Sequence, residues 1–156
     1  MKALIKKFDV RVFGYFRRIE VPLARLALFI VYFWFGALKA WGMSPATPLV
    51  RELAAVTIPF ISFPSFYGAF AFFEMAIGLM FLMRGAERLA ILLAGLHLGM
   101  TALPLIFLPY TAWQGFLVPT LEGQYIIKNI LIVALAVTIG SHTRPLGHSD
   151  RTAESL

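Results

Sequence analysis

The 156-residue chain has no cysteine and little charge: Asp, Glu, Lys and Arg make up only 14% of it. The absence of cysteine excludes disulfides, thiolate metal sites and thiol–disulfide chemistry by this chain. The sequence also lacks a haem-attachment motif, a flavin fingerprint and a P-loop, so it does not predict electron transfer by the chain alone. With 60% hydrophobic residues and a mean hydropathy of +0.80, it is too apolar for a soluble domain and predicts an integral membrane protein.

Four apolar stretches approach the roughly 20 residues that a helix needs to cross a bilayer. They cover residues 22–42, 65–83, 88–108 and 125–140. We therefore predict an all-α fold, a four-helix transmembrane bundle within residues 21–141. A polar tail, residues 142–156, follows the bundle, and its His142 and His148 are expected to be solvated.

The net charge of +6 is distributed unevenly along this topology. All the basic residues except Lys39, Arg51 and Lys128 lie on the side that holds the N-terminus, the loop between the second and third helices, and the tail. The positive-inside rule therefore predicts a protein of the cytoplasmic (inner) membrane with both termini in the cytoplasm. This topology explains the basic excess, so nucleic acid is not an expected partner.

The segment before the first span, residues 1–20, has an apolar stripe at spacings of three and four that is opposed by much of its Lys and Arg set: Leu4, Phe8, Val12, Tyr15 and Ile19. This pattern predicts an amphipathic helix lying on the anionic inner leaflet. The alternative interpretation is that the basic residues only orient the chain in the membrane.

The two predicted external loops have different features. In the first, Thr47 followed by Pro48 predicts the start of a short helix that lies across the outer mouth of the bundle. The second loop, residues 109–124, contains Tyr110 and Trp113, aromatic residues typical of a membrane interface.

Ionisable residues interrupt the apolar segments at five positions: Arg25, Lys39, Glu74, His97 and Lys128. A charge at the centre of a bilayer costs at least about 2.5–3.5 kcal/mol, so such residues usually face the interior of a bundle or a polar cavity. Because a helix rises about 1.5 Å per residue, Arg25 is placed near the inner surface, where we expect it to act as an anchor. The other four fall at middle to outer depths, with one on each helix.

One ionisable residue per helix at compatible depth predicts a polar site inside the bundle. Neighbouring hydroxyl and amide groups extend it on the third and fourth helices: Thr101, Gln124 and Tyr125. The competing interpretation is structural, because Lys39 and Lys128 can extend to the outer interface and a buried Glu74–Lys pair can fix helix register. One imidazole and one carboxylate are too few ligands for a metal site, and none is predicted.

Several motifs resemble those of the DoxX-like family of small four-span membrane proteins. They lie in order along residues 21–140: Arg25-Leu26-Ala27-Leu28, Phe33-Trp34-Phe35-Gly36-Ala37-Leu38-Lys39, Phe73-Glu74-Met75-Ala76-Ile77-Gly78-Leu79, Leu96-His97, Thr101-Ala102-Leu103-Pro104-Leu105 and Glu122-Gly123-Gln124-Tyr125-Ile126-Ile127-Lys128-Asn129. The family is named after a subunit of a thiosulfate:quinone oxidoreductase, and some relatives are linked to oxidative-stress defence. The resemblance implies that this chain is a component of a membrane redox system. It also implies that the five ionisable residues match polar positions of the family.

On this basis we expect a quinone or a small anion to bind in the outer half of the bundle. Glu74 and His97 are the expected proton-transfer residues, and the expected binding residues are Lys39, Lys128, Thr101, Tyr125 and Gln124. The bilayer and a larger membrane redox complex or a second copy are the expected partners. The alternative is a non-enzymatic membrane subunit, or an assembly or stress-response factor, with structural buried charges; a small transporter ranks third.

The third predicted span also contains Gly95 and Gly99, a small-xxx-small spacing that lets helix backbones approach closely. The spacing fits packing within the bundle and dimerisation equally well.

Overall fold

The computed structural model describes residues 2–143, and this part of the chain is mostly helical. In chain order its elements are α1 (Lys2–Ala40), α2 (Thr47–Thr57), α3 (Phe63–Leu82), α4 (Glu87–Ala102), α5 (Pro104–Phe107), α6 (Pro109–Ala112), β1 (Trp113–Gly115), β2 (Val118–Pro119), α7 (Leu121–Lys128) and α8 (Ile130–Ser141). By length and composition, four helices can cross a membrane: Lys6–Ala40, Phe63–Leu82, Glu87–Phe107 and Leu121–Ser141. The sequence predicted four such helices.

The spanning helices pack in a closed ring. α1 contacts α3 and α8, α3 contacts α4, and α4 contacts α8. We call the end of this ring where α1 ends and α3 begins the loop end, and the end where α8 finishes the tail end. The apolar core lies in the tail half and contains Leu28, Tyr32, Ile77, Phe81, Ala90, Ala94 and Ile139. The polar residues of the candidate site lie on the loop side of this core.

The first helix begins well before the predicted start of the first span at residue 22, because α1 continues through Pro22 as one helix of 39 residues. Residues 2–20 are therefore helical, as the apolar stripe predicts, but they are continuous with the first span. A proline inside a helix removes one hydrogen bond to the carbonyl four residues earlier, here that of Arg18, and the helical turns on both sides continue.

The third and fourth spans contain breaks that the hydropathy pattern does not show. Pro104, which has no N–H to donate, separates α4 from α5. The last span begins at Leu121 because the Thr120 hydroxyl caps it, accepting a hydrogen bond from the Gly123 backbone N–H at 3.1 Å. At Asn129 the span passes from α7 to α8.

The loop end carries two small elements. α2 begins at Thr47, with Pro48 in its first turn, where the sequence predicted a helix start. The predicted capping bond is absent from α2: the Thr47 hydroxyl donates to the Ser44 carbonyl at 2.7 Å. The antiparallel pair β1–β2 was not predicted, since each strand has only two or three residues.

The backbones of α1 and α3 approach closely at two glycines. A Cβ atom on Gly36 would lie 2.8 Å from the Ala71 carbonyl oxygen, and one on Gly78 would lie 2.8 Å from the Phe33 backbone nitrogen. Both distances are too short for a real side chain, so only glycine fits at these positions. Gly36 is one turn before Lys39, and Gly78 is one turn after Glu74. This contact therefore brings the two charged residues within reach of each other.

The Gly95–Gly99 spacing, by contrast, lies on an open face of α4. Both glycines are exposed, and a Cβ on either would meet no atom within 4 Å. The described part of the chain thus uses other glycines for its closest helix contact.

Replacing Gly78 by alanine should weaken the bundle. We expect Gly78→Ala to lower the free energy of unfolding by about 1–3 kcal/mol, because the new methyl group collides with the Phe33 backbone. Gly95→Ala is the matched control, and we expect it to be neutral or to stabilise by up to about 1 kcal/mol. Each variant is titrated with dodecyl sulfate in mixed micelles, and circular dichroism gives the midpoint of its unfolding. Equal midpoints would contradict the close contact of α1 and α3.

Candidate functional site

Three of the predicted site residues meet in the interior of the bundle. The Lys39 ammonium donates to both carboxylate oxygens of Glu74, at 2.9 Å to Oε1 and 2.7 Å to Oε2. His97 Nε2 lies 2.8 Å from Glu74 Oε1. The three residues are only 8%, 4% and 7% exposed, in the order Lys39, Glu74 and His97. They come from α1, α3 and α4, and we refer to them as the triad.

The end of α1 sets the position of Lys39. The helix stops at Ala40, after which Gly42 adopts a φ of +70° that favours glycine. The Gly42 N–H donates to the Lys39 carbonyl at 3.0 Å, and the Met43 N–H donates to the Leu38 carbonyl at 2.8 Å. These two bonds form a Schellman cap. Lys39 therefore lies in the last turn of α1, with its side chain directed back into the bundle.

Aromatic rings surround the imidazole of His97. The Phe70 ring stacks on it at a centroid distance of 5.2 Å, and the Tyr32 ring meets it edge-on at 5.1 Å. Phe70 also lies 5.7 Å from the Lys39 ammonium, which allows a cation–π contact. The triad is thus a small polar site in an apolar, aromatic environment, where electrostatic interactions are stronger than in water.

One polar atom of the triad is unsatisfied. His97 Nδ1 is buried and has no hydrogen-bond partner among the residues that the structure describes. An unpaired buried polar atom costs about 1–3 kcal/mol, so native proteins seldom contain one without a reason. Nδ1 is therefore the atom of the triad whose hydrogen-bonding capacity the described residues leave unused.

The fourth charged residue predicted for this site lies elsewhere. Lys128 is exposed, and its ammonium lies 5.3 Å from the ring centroid of Tyr125, which is also exposed. Gln124 is exposed as well. The residue of α7 that faces the interior is Gly123, whose Cβ, if it had one, would lie 2.2 Å from the Ala112 carbonyl oxygen.

The orientation of α7 explains why these side chains stay outside. At about 100° per residue, Gln124, Tyr125 and Lys128 lie roughly 100°, 200° and 140° around the helix from the buried Gly123. The predicted meeting of four ionisable residues is therefore corrected to three. Thr101 lies at the edge of this region: its hydroxyl donates to the Leu98 carbonyl at 3.0 Å and accepts from Asn129 Nδ2 at 3.4 Å.

Losing Lys128 changes the charge of the site. With Lys39 positive, Glu74 negative and His97 neutral, the formal charge of the triad is zero. A site that also held the Lys128 ammonium would carry one more positive charge and would favour an anion. The geometry therefore removes the electrostatic argument for an anionic ligand.

Polar contacts also cover the loop end above the triad. The Tyr67 and Thr47 hydroxyls lie 2.7 Å apart and join α3 to α2. The Thr111 hydroxyl contacts both carboxylate oxygens of Glu52 at 3.1 Å, which joins α6 to α2. α2 therefore lies over this end of the bundle.

A second group of charged residues lies at the tail end. Arg25, which the sequence predicted as an interface anchor, forms an ion pair with Glu87 and donates to the Met83 carbonyl at 3.3 Å. His142 was expected to be solvated; it is half exposed, but its Nε2 lies 3.0 Å from Glu20 Oε1. His148 lies outside the described residues.

An open cleft of about 340 Å³ borders this second group, lined by Val21, Arg25, Glu87, Ile139, His142 and Thr143. A smaller cavity of about 250 Å³ lies at the β1–β2 turn. Neither cavity borders the triad. Glu87 was not among the residues predicted for a site, although it lies at the start of the third span, at the depth of Arg25.

Searches against protein-family models, curated proteins and solved structures found no match to this chain. The resemblance to the DoxX-like family therefore stays a prediction. Among the described residues, no group of three or more His, Cys, Asp or Glu side chains could hold a metal ion.

The triad geometry predicts that Lys39 and Lys128 differ in their effect on stability. Lys39→Met leaves the Glu74 carboxylate buried without its ammonium partner, so we expect a loss of about 3–5 kcal/mol in the free energy of unfolding. Lys128→Met is the control, because it removes an exposed lysine from the last span; we expect a change within about 0.5 kcal/mol.

The double variant Lys39→Met/Glu74→Gln removes both charges but keeps a polar partner for His97 Nε2, so it should recover most of the loss. Denaturation in mixed micelles measures all three variants. A similar effect of the two single lysine changes would show that Lys39 does not hold Glu74 in the folded protein.

Proposed function

We propose that this chain is the quinone-binding component of a membrane redox system, with both termini in the cytoplasm, and that His97 binds the quinol head group. One observation supports this above the others: among residues 2–143 the buried His97 Nδ1 has no hydrogen-bond partner, while the Lys39 ammonium, the Glu74 carboxylate and His97 Nε2 bond to one another. A quinol is an apolar molecule with two hydroxyl groups, and the aromatic surroundings of His97 suit its ring.

The contact with Glu74 determines which form of the ligand fits. Both Glu74 oxygens already face the Lys39 ammonium, so the carboxylate acts as an acceptor and His97 Nε2 carries the hydrogen that it donates. In the neutral ring, Nδ1 is then an acceptor with a free lone pair. A hydroxyl group supplies the matching hydrogen, whereas a quinone carbonyl does not. The site therefore favours the reduced form.

The same arrangement assigns a proton-transfer step. Oxidation of a quinol to a quinone releases two electrons and two protons. His97 Nδ1 takes one proton from the bound hydroxyl, and the resulting imidazolium is stabilised by Glu74 through Nε2. The second proton and both electrons pass to a partner redox protein, because the sequence of this chain contains no haem-attachment or flavin motif.

One observation favours the alternative that the triad is structural. Lys39 and Glu74 pair directly and are buried, and both described cavities lie elsewhere. A buried pair of this kind fixes the register of two helices. In that case the chain is a non-enzymatic membrane subunit, and His97 only adds a third contact to the carboxylate.

Two substitutions at His97 separate these functions. Glutamine can place an amide N–H near the position of Nε2 and keep the bond to Glu74, but it has no group at Nδ1. Asparagine is shorter; it can place a polar atom near Nδ1 but does not reach Glu74. We expect His97→Gln, which keeps the bond to Glu74, to be more stable than His97→Asn and to lose at least tenfold in quinol affinity, equivalent to about 1.4 kcal/mol.

The measurement uses purified protein in lipid nanodiscs with decylubiquinol and decylubiquinone as probes. A ligand that binds the folded state raises the Tm, so Tm against probe concentration gives the affinity. We expect the native protein to bind the quinol more tightly than the quinone, and His97→Asn to lose stability. Equal quinol binding by the native protein and His97→Gln, or no binding by either, would refute the proposal and favour the structural function.

A further inference from the structure

The N-terminal part of α1 carries apolar side chains that the bundle does not cover. Five apolar residues follow one face of the helix, and we call them the stripe: Phe8, Tyr15 and Phe16 are exposed, and Val12 and Ile19 are partly exposed. Phe8 is 70% exposed and Tyr15 is 59% exposed. Exposed aromatic side chains in a row on a helix require an apolar partner.

The stripe faces away from the bundle. Because α1 is one continuous helix, the directions of its residues can be compared along its whole length. Nine residues separate Tyr15 from Ala24, and nine separate Ile19 from Leu28; at 3.6 residues per turn this is two and a half turns. Ala24 and Leu28 belong to the core. The stripe therefore lies on the opposite face of α1 from the residues that pack inside the bundle.

The other sides of this segment carry most of its basic residues, together with the exposed Val10 and Phe13. The basic residues are Lys6, Lys7, Arg11, Arg17 and Arg18, against which only Asp9 and Glu20 are acidic. A helix with an apolar stripe and a basic opposite face fits an anionic lipid surface. The stripe enters the boundary between the lipid headgroups and the acyl chains, and the long basic side chains reach the lipid phosphates. The same helix continues into an apolar span, so such a surface lies within its reach.

The length of α1 requires the segment to change direction before it can reach that surface. A helix of 39 residues is about 58 Å long, whereas the hydrocarbon core of a bilayer is only about 30 Å thick. A straight α1 leaves about half of its length in water, with the stripe exposed. The turn between Arg18 and Pro22 is the weak point, because the Pro22 ring nitrogen cannot donate to the Arg18 carbonyl.

We propose that residues 6–19 of α1 form a membrane-surface arm that bends away from the bundle at the Pro22 turn and lays the stripe on an anionic leaflet. The direction of the bend follows from the direction of the stripe. When a helix leaves the membrane and bends outward onto its surface, the face that pointed away from the bundle becomes the face that meets the lipid. Within the turn from Arg18 to Pro22, the Glu20 carboxylate lies 3.0 Å from Nε2 of His142, the residue that follows α8.

The absence of cysteine allows a direct test with single-cysteine variants of the whole chain. Phe16→Cys places a nitroxide label on the stripe. Gly14→Cys is the matched control, since it lies two residues away on the other face and has open space around it. Collision of the label with oxygen reports contact with lipid, and collision with a water-soluble nickel complex reports contact with water. Both variants are measured in phosphatidylcholine nanodiscs with and without one third phosphatidylglycerol.

We expect the label at position 16 to show a several-fold higher oxygen-to-nickel collision ratio than the label at position 14 when phosphatidylglycerol is present. Adding Pro22→Ala restores the missing helical hydrogen bond and should lower the ratio at position 16. Adding R17Q and R18Q should lower it only in the anionic discs.

Three results would overturn the proposal. Low, equal ratios at both positions would show an arm that projects into water. Spin–spin broadening at position 16 that grows with protein concentration in detergent would assign the stripe to a second copy. An unchanged ratio in the Pro22→Ala variant would show that the Pro22 turn is not the bend.

Discussion

The Glu74 carboxylate imposes the strongest constraint on this structure. It lies in the middle of an apolar helix, where an isolated negative charge is far less stable than in water and where its side chain is too short to reach an interface. Two residues from two other helices satisfy it, Lys39 from α1 and His97 from α4. Three of the four spans are thereby held in one relative position by a single side chain.

The contact between α1 and α3 makes this pairing possible. A lysine side chain spans a limited distance, and its ammonium contacts both oxygens of Glu74 only because the two backbones meet at Gly36 and Gly78. Dispersion forces and the ion pair thus support each other: small residues allow the approach, and the ion pair fixes the register. At the tail end, Arg25 and Glu87 join α1 to α4 in a similar way.

Hydropathy and the cost of buried charge predicted a large part of this arrangement. They located four apolar helices and selected the three residues of the triad, because both follow from the energetics of single residues in lipid. Lys128 could not be placed by the same method, since the direction of α7 depends on the Thr120 cap and on the fit of Gly123 against Ala112. These are contacts between distant elements. The continuation of α1 through Pro22 and the short β1–β2 pair likewise have no clear local signal.

The presence of an imidazole in the triad is the feature that stability explains least well. Lys39 and Glu74 already form a buried pair with two contacts, and a serine or an amide could supply one more donor to Oε1. His97 supplies that donor and in addition leaves Nδ1 buried without a hydrogen-bond partner among the described residues. Imidazole differs from the alternatives in that one nitrogen can take up a proton while the other stays bonded to a carboxylate. The Phe70 and Tyr32 rings pack against either face or edge of a neutral imidazole, and the proton exchange proposed above would use both of its nitrogens.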